Sequence, residues 1–335
     1  MPATNVSLGY SLSSEEHPPL DLVRNAQRAE ALGFEYASIS DHFHPWIDAQ
    51  GHSPFVWSVL GAIAQGTSRL RVVTGVTCPT FRIHPAIVAQ AAATVAAMMP
   101  GRFQLGVGSG EALNEHITGM RWPPYEKRAA MLEEAVAIIR ELWAGDVVNH
   151  DGEHFTVENA RIYTLPDEPP PVYVAAAGPE AAELAGRIGD GLICSSEDAE
   201  VVRRFDATPK SGGGTGRGGA RPHYLQVSVC WAKDEAEARR IAHRQWPIAG
   251  LRGEMSQILP TPTHFEQAAK MVSEEDISKG IVCGPDPDKH LEAIQSGIDA
   301  GYDHIHIGQV GPDQEGFFRF YEREVLPKLR GLKAA

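Results

Sequence analysis

Short apolar runs alternate along this chain with longer segments in which apolar residues recur at helical spacing. A run of about four to eight apolar residues is typical of a buried strand, whereas recurrence every three or four residues indicates a helix with one buried face. The pattern predicts eight strands, at residues 5–10, 34–39, 70–76, 103–108, 172–177, 191–194, 225–231 and 304–308. It also predicts helices, at residues 20–32, 85–99, 127–143, 285–300 and 315–329.

Strands that alternate with helices pair in parallel, because each helix carries the chain back to the edge where the next strand begins. Eight such units in a chain of 335 residues predict an α/β fold of the TIM (β/α)8 barrel class. An open, doubly wound sheet is the alternative that the same pattern allows. We predict a single domain over residues 1–335, since neither an internal repeat nor a linker divides the chain.

Two stretches interrupt this alternation. Residues 145–170 alternate apolar and polar positions and end in prolines, which predicts a small β insertion. Residues 209–222 are rich in glycine and predict a flexible surface loop. Loops that follow the strands build the active sites of TIM barrels, so either stretch could shape substrate access or have no role in function.

Composition excludes several classes of function. The 43 acidic residues outnumber the 30 basic ones, and a net charge of -13 argues against a protein that binds nucleic acid. Four scattered cysteines without a CxxC pair indicate reduced thiols rather than disulfides or zinc ligands. Neither a signal peptide nor an apolar run of about 20 residues is evident. We therefore expect a cytoplasmic protein without a metal site and without a membrane partner.

Titratable side chains follow the second predicted strand, in the stretch SDHFHPW. Asp41 and His42 would lie at the carboxyl end of that strand, where barrel enzymes carry their catalytic groups. Histidine takes up and releases protons near neutral pH, and the indole of Trp46 could shield a reacting group from water. The same residues also suit a helix cap with solvated histidines, and this stretch alone does not decide between the two.

Glycines mark the ends of the third and fourth predicted strands. Gly75 interrupts a β-branched run, and GVGSGEALNE removes side chains from the next strand end before it presents Glu111 and Asn114. This pattern favours a flat ligand that lies against the backbone, since the spacing of a dinucleotide-binding fingerprint is absent. After the fifth strand, Gly178 precedes a helix and suits either an anion cradle or an ordinary tight turn.

Five segments in order along the chain resemble the luciferase-like superfamily: SDHFHPW, TGVTCPTFRIHPAIVAQA, GRFQLGVGSGEALNE, PVYVAAAGP and GDGLICSS. Within it they are most similar to the branch of glucose-6-phosphate dehydrogenases that depend on the deazaflavin coenzyme F420. The likeness covers residues 5–196 and returns weakly at 281–330. It implies a TIM barrel, F420 in the barrel mouth, a nonprolyl cis peptide at Gly75-Val76 beneath the ring, and usually a homodimer.

The resemblance also implies a mechanism of alcohol oxidation. His42 would take the hydroxyl proton as the carbon gives hydride to the deazaflavin, Glu111 would protonate the ring, and Trp46 would stabilise developing charge. The residues that would line the cofactor are Asp41, Gly75, Val76, Cys78, Ser109, Gly110, Asn114, Ala177, Gly178 and Ser195. Two alternatives on the same fold are an F420H2-dependent reductase and an FMN-dependent monooxygenase.

One departure from this branch bears on the substrate. Its members hold the sugar phosphate with lysine and arginine, whereas Glu197 and Asp198 stand where such a lysine falls in this chain. Lys270, Lys279 and Arg252 are other cationic candidates. An acid repels phosphate, so we expect the substrate to be either a sugar phosphate held in another way or a related alcohol.

Overall fold

Eight parallel strands close into a barrel in the computed structural model, which describes residues 6–211, 221–251 and 253–333. The order around the barrel is β1-β2-β3-β4-β7-β8-β9-β11, and β11 returns to pair with β1. A two-residue strand, β10, pairs with the end of β9, and β5 and β6 form a separate antiparallel hairpin. The strands are β1 (Ser7–Leu12), β2 (Tyr36–Ile39), β3 (Arg71–Thr74), β4 (Phe103–Val107), β5 (Val148–Asp151), β6 (Thr156–Ala160), β7 (Val172–Ala175), β8 (Gly191–Cys194), β9 (His223–Cys230), β10 (Val282–Cys283) and β11 (His304–Gln309).

Helices surround the barrel and cover part of its mouth. They are α1 (Pro19–Leu32), α2 (Val56–Gly66), α3 (Pro85–Met98), α4 (Ala112–Glu115), α5 (Tyr125–Trp143), α6 (Pro179–Ile188), α7 (Ala199–Ala207), α8 (Glu235–Gln245), α9 (Met255–Ile258), α10 (Pro262–Ala269), α11 (Glu274–Ile277), α12 (Pro287–Asp299), α13 (Gln314–Phe320) and α14 (Leu326–Lys333). Short 3-10 turns occur at Asp48–Gln50, His116–Thr118 and Pro247–Gly250, and one π turn, Tyr321–Val325, joins α13 to α14. In the described residues no helix is both long and apolar enough to cross a bilayer.

Aromatic side chains fill the lower part of the barrel interior. Tyr36 and Tyr224 meet edge to face with ring centroids 5.0 Å apart, and Tyr224 stacks on His304 at 4.4 Å. Gly9 on β1 leaves the space that the Tyr36 ring fills, since a Cβ there would overlap the ring. The interior is therefore packed below, as in other TIM barrels, and a ligand has access only from the carboxyl ends of the strands.

The structure confirms the barrel class and places a strand within each of the eight predicted ranges or overlapping it. The β insertion predicted at residues 145–170 is the β5–β6 hairpin. Most of the predicted glycine-rich loop, residues 212–220, lies outside the described residues. The pattern missed β10, the helices α2, α4 and α7, and the helices between β9 and β10, of which α9 and α11 are only one turn long. The main hydrophobic core includes residues from Val6 to Leu329. The single domain over residues 1–335 stays a prediction.

Candidate active site

His42 lies on the loop after β2, at the barrel mouth. Its side chain is mostly buried, and its Nδ1 lies 3.1 Å from Oε1 of the buried Glu15, which follows β1. The distance is that of an ion pair, although the angles do not meet those of a hydrogen bond. Ser13 and Ser40 donate their hydroxyl groups to Oε2 of Glu15, at 3.0 and 2.9 Å. The carboxylate therefore faces the Nδ1 side of the ring and leaves Nε2 for a ligand.

Trp46 stands beside His42, and a helix from a distant part of the chain packs on it. The rings of Trp46 and His42 meet edge to face with centroids 5.0 Å apart. Phe265, on α10 between β9 and β10, contacts Trp46 at 5.2 Å in the same geometry. Gln50 joins the loop that carries Trp46 to the end of α8. Its side-chain oxygen accepts from the backbone N–H of Trp46 at 2.8 Å, and its amide nitrogen donates to the Gln245 carbonyl at 3.0 Å.

A buried ion network joins the loops after β2, β3 and β4. Arg82 donates to Oδ1 of Asp41 at 2.9 Å, and its Nε lies 3.6 Å from Oε1 of Glu115. Thr77 donates to the other carboxylate oxygen of Asp41 at 2.7 Å. Burial raises the pKa of Glu115 to about 7, against the lowering effect of the Arg82 charge. Burial also opposes the charge of Arg82, but the two carboxylates outweigh it and raise the Arg82 pKa.

Backbone, rather than side chains, forms the floor of the mouth at the ends of β3 and β4. The peptide bond between Gly75 and Val76 is cis, which confirms the position implied by the resemblance. A Cβ on Gly108 would lie 2.7 Å from Cγ2 of Val76. Gly110 has a φ of +77°, and a Cβ there would lie 2.6 Å from Sγ of Cys78. Burial raises the Cys78 pKa well above its usual value, so the thiol is neutral and packs beside Gly110.

The predicted acid, Glu111, begins α4 and is half-buried at the end of β4. Ser109 precedes it and is also half-buried. Asn114 is buried, and its Nδ2 donates to Oε2 of Glu111 at 3.4 Å. Its Oδ1 accepts from the backbone N–H groups of Phe43 and His44, at 2.9 and 3.1 Å. The structure thus brings the predicted acid into one bonded group with the segment that carries His42.

The remaining predicted cofactor contacts lie on another side of the mouth. Ala177 and Ser195 follow β7 and β8, and both are exposed. Gly178 directly precedes α6, and nothing lies within 4 Å of the position that a Cβ would take there. Three strands lie between β8 and β2 in either direction around the barrel. These three residues therefore border an open part of the mouth opposite His42.

The two acids after β8 are exposed and differ in their roles. Asp198 caps α7 by accepting from the backbone N–H of Glu200 at 2.8 Å. No such bond ties Glu197 among the described residues, and its side chain is exposed. Asp198 is therefore explained in part by helix capping, which leaves Glu197 as the acid free to face a ligand.

The other cationic candidates gain little support as a phosphate site. Lys279 pairs with Asp276 at 3.0 Å on the surface. Lys270 is exposed at the end of α10. Arg252 lies outside the described residues.

Three residues of this site, Glu15, Arg82 and Phe265, escaped the sequence analysis. Glu15 had a signal, because it lies in the segment after the first predicted strand just as His42 follows the second. Arg82 had none, since its pairing depends on how the loops after β3 and β4 meet. The i,i+4 spacing of Glu111 and Glu115 allowed a carboxylate pair, but it suits two solvated acids equally well. Phe265 lies in a segment whose position over Trp46 nothing local predicts.

Comparison with known protein families gives a match over most of the chain. Residues 4–304 match the model of the luciferase-like monooxygenase family. An F420-dependent glucose-6-phosphate dehydrogenase of Rhodococcus erythropolis is 38% identical over 336 residues, which is 98% of this chain and 99% of that protein. The enzyme of the same description from Mycobacterium avium is 38% identical over 333 residues, with the same coverage.

Solved structures show the same architecture. An F420-dependent secondary alcohol dehydrogenase, in complex with an F420-acetone adduct, superposes with a TM-score of 0.86. The two chains are 30% identical, over 96% of this chain and 98% of that one. A coenzyme F420-dependent tetrahydromethanopterin reductase from Methanopyrus kandleri has a TM-score of 0.74 at 20% identity, over 97% of this chain and 99% of that one, and shows the fold alone.

Proposed function

This chain belongs to the luciferase-like monooxygenase family, and we propose that within it the protein is an F420-dependent dehydrogenase. It oxidises a hydroxyl group of a sugar phosphate or a related alcohol by hydride transfer to the deazaflavin. The observation that carries this proposal is the placement of His42 between Glu15 and Trp46 at a mouth whose floor is backbone. The full-length relatives are dehydrogenases, which favours this direction over the reductase and the FMN-dependent monooxygenase.

The residues present fit the cofactor. F420 supplies a hydride acceptor when it is bound, and a flat ring needs a surface free of side chains. Gly75 and Gly110 contribute backbone without side chains, Val76 places its Cγ2 beside Gly108, and the buried Cys78 lies beside Gly110. Asp41, Ser109 and Asn114 would border the ring. Ala177, Gly178 and Ser195 would hold the tail, because the free N–H groups at the start of α6 suit an anion.

His42 is proposed as the base. Its Nε2 takes the proton of the substrate hydroxyl as hydride leaves the carbon. The imidazolium that forms lies beside the Glu15 carboxylate, which stabilises the new charge from the Nδ1 side. Trp46 and Phe265 keep water away from this pair and so strengthen the interaction.

Glu111 is proposed as the acid. Its position at the start of α4, half-buried beside the glycine floor, suits a group that delivers a proton to the ring. Base and acid then belong to separate loops, after β2 and β4. This separation lets one proton leave the substrate while another is delivered elsewhere.

Among the two substrate classes, the charges at the mouth favour an unphosphorylated alcohol. Glu15, Glu111 and Glu197 place carboxylates after β1, β4 and β8. Of the cations near them, Arg82 is paired with Asp41, whereas the buried Arg128 donates to the carbonyl of Gly110 rather than to a carboxylate. Trp46 and Phe265 supply an apolar wall that suits the carbon skeleton of an alcohol. An added phosphate would meet repulsion from these carboxylates, and Arg128, the described cation near Glu111 that lacks a carboxylate partner, is buried.

The direct test is the reduction of F420, followed as the loss of its visible absorbance, with secondary alcohols and glucose 6-phosphate as donors. We expect turnover with at least one secondary alcohol. Turnover with the sugar phosphate alone would remove the preference for an uncharged substrate but keep the reaction. F420 binding without turnover on any donor, together with oxidation of F420H2 by an acceptor, would contradict the dehydrogenase.

We also propose a homodimer formed by α2 and α3. These two helices carry no charged residue over 25 positions, although each exposes part of its surface. Phe55, Ile87 and Met98 are exposed on this face, and an outer helix of an isolated barrel ordinarily carries charges there. A second copy would cover the face by two-fold symmetry. Sedimentation should show a dimer, and Ile87→Glu should shift it to a monomer.

The cysteines support a cytoplasmic location. All four, Cys78, Cys194, Cys230 and Cys283, are free and buried. Free thiols persist in a reducing compartment. Fractionation of cells that express the protein would test this location.

A further inference from the structure

Asn114 is the third residue of α4, and its side chain is buried. The oxygen and the nitrogen of its carboxamide contact different loops, those that carry the proposed base and the proposed acid. Oδ1 accepts two bonds, from the backbone N–H groups of Phe43 and His44. Nδ2 donates to the carboxylate of Glu111. An amide oxygen has two lone pairs, so these two acceptances use its full capacity. Asn114 therefore joins the segment after His42 to the side chain of Glu111.

The peptide segment around His42 is held on both sides. Arg82 donates to the carbonyl of Asp41, the residue before His42, at 3.0 Å. Ser53 donates to the carbonyl of His42 itself at 2.7 Å. Asn114 alone, among the described contacts of this segment, holds the two N–H groups that follow. Without it the chain could turn about the bonds after His42, and the imidazole would lose its fixed direction.

We propose that Asn114 is a positioning residue that couples the base His42 to the acid Glu111. The coupling rests on the proposed function, which assigns the roles of these two groups. It goes beyond a cofactor contact, because the carboxamide acts through its bonds to the protein. One side chain then sets the orientation of the base and holds the acid, so both stay in register during a turnover. A displacement of about 1 Å in such a site costs about 10²-fold in rate.

Two substitutions separate the two ends of the carboxamide. Asn114→Ala removes both, and we expect kcat to fall by about 10²-fold while F420 binding persists. Asn114→Asp keeps an oxygen for the amides of residues 43 and 44 but places a carboxylate beside Glu111. The second carboxylate disfavours the ionised form of Glu111. In the pH dependence of kcat, the limb that reports Glu111 is the one that Glu111→Gln lacks. In Asn114→Asp this limb should move to higher pH, by about one unit.

Asn149 offers a matched control. Its Oδ1 also accepts a backbone N–H, that of Asn159 at 2.8 Å, in the β5–β6 hairpin, where both residues are exposed. Asn149→Ala and Asn149→Asp should leave kcat and the pH profile as they are in the wild type. An equal loss in both asparagine series would indicate a general effect on folding and would overturn the proposal.

Hydrogen exchange gives a readout that needs no turnover. The amides of Phe43 and His44 should exchange faster in Asn114→Ala and remain protected in Asn114→Asp. Unchanged exchange in Asn114→Ala, or an unmoved limb in Asn114→Asp, would overturn the proposal. If none of the tested alcohols, nor glucose 6-phosphate, reduced F420 with the wild type, the dehydrogenase assignment would fail. Faster exchange at residues 43 and 44 would still support the part of the proposal that concerns His42.

Discussion

The two sides of the barrel mouth differ in how their side chains are held. After β1, β2 and β4, polar groups are buried and bonded to one another: Glu15 to serines, Asp41 to Arg82, and Asn114 to three partners. After β7 and β8, Ala177 and Ser195 are exposed, and space is open around the helix start. The first side suits chemistry, which needs fixed geometry, and the second suits the binding of a large cofactor tail, which needs access. Substitutions on the bonded side should therefore change rate, and those on the open side should change binding or specificity.

The largest effect is expected at His42. His42→Ala removes the proposed base, so kcat should fall by about 10² to 10⁴-fold while F420 still binds. Steady-state rates and fluorescence titration of F420 would measure the two quantities. His44→Ala is the matched control, since His44 lies on the same loop and bonds to the Leu113 carbonyl. If the variant lost F420 binding but the bound fraction reacted at the normal rate, His42 would serve to bind the cofactor and not as the base.

Glu115 should make stability depend on pH. Its pKa of about 7 lies above the unfolded value of 4.5, so the folded protein keeps a proton that the unfolded chain releases. The protonated Glu115 therefore contributes to the free energy of unfolding fully below pH 4.5. This contribution, at most about 3 kcal/mol, should be lost as the pH rises to about 7. Chemical denaturation of wild type and Glu115→Gln across this range would measure it. Parallel curves for the two proteins would show that Arg82 keeps Glu115 ionised throughout.

Glu15 tests whether a charge, rather than a hydrogen bond, supports His42. Glu15→Gln keeps the size of the side chain and removes the charge beside Nδ1, so kcat should fall by about 10-fold. Glu16→Gln is a close control, because burial raises the Glu16 pKa to about 8 and the residue accepts from Gly311 instead. A similar loss in both variants would mean that this loop responds to any change, and not to the charge facing His42.

The smallest effect is expected on the open side. Glu197→Lys should increase use of glucose 6-phosphate severalfold, because it replaces an exposed acid without removing the Asp198 cap of α7. The ratio of kcat/KM for glucose 6-phosphate to that for an uncharged alcohol would measure the change. Glu292→Lys makes the same change in charge on the exposed face of α12. If the kcat/KM ratio rose equally in the two variants, the change would reflect net charge alone. If it did not rise in Glu197→Lys, a bound phosphate would not lie near residue 197.

The sequence pattern predicts where the candidate catalytic groups lie. His42 and Glu111 each stand in the loop after a strand, and the carboxyl end of every strand in a parallel barrel faces the mouth. Their positions could therefore be predicted once the strands were recognised, whereas their catalytic roles are implied by the resemblance and remain proposals. The glycine run at residues 106–110 likewise predicted backbone without side chains at the end of β4. These positions could be predicted because they depend on periodicity within a single βα unit.

The sequence pattern predicted the eight strands and the residues at their ends, and it favoured a barrel over an open, doubly wound sheet. It did not predict three contacts of the folded protein: Glu15 faces Nδ1 of His42, Arg82 bridges Asp41 to Glu115, and Phe265 packs on Trp46. Such contacts join side chains from different loops and form only after the barrel closes. Hydrophobic periodicity reports which face of a segment is buried, but it carries no information about the distant segment that buries it.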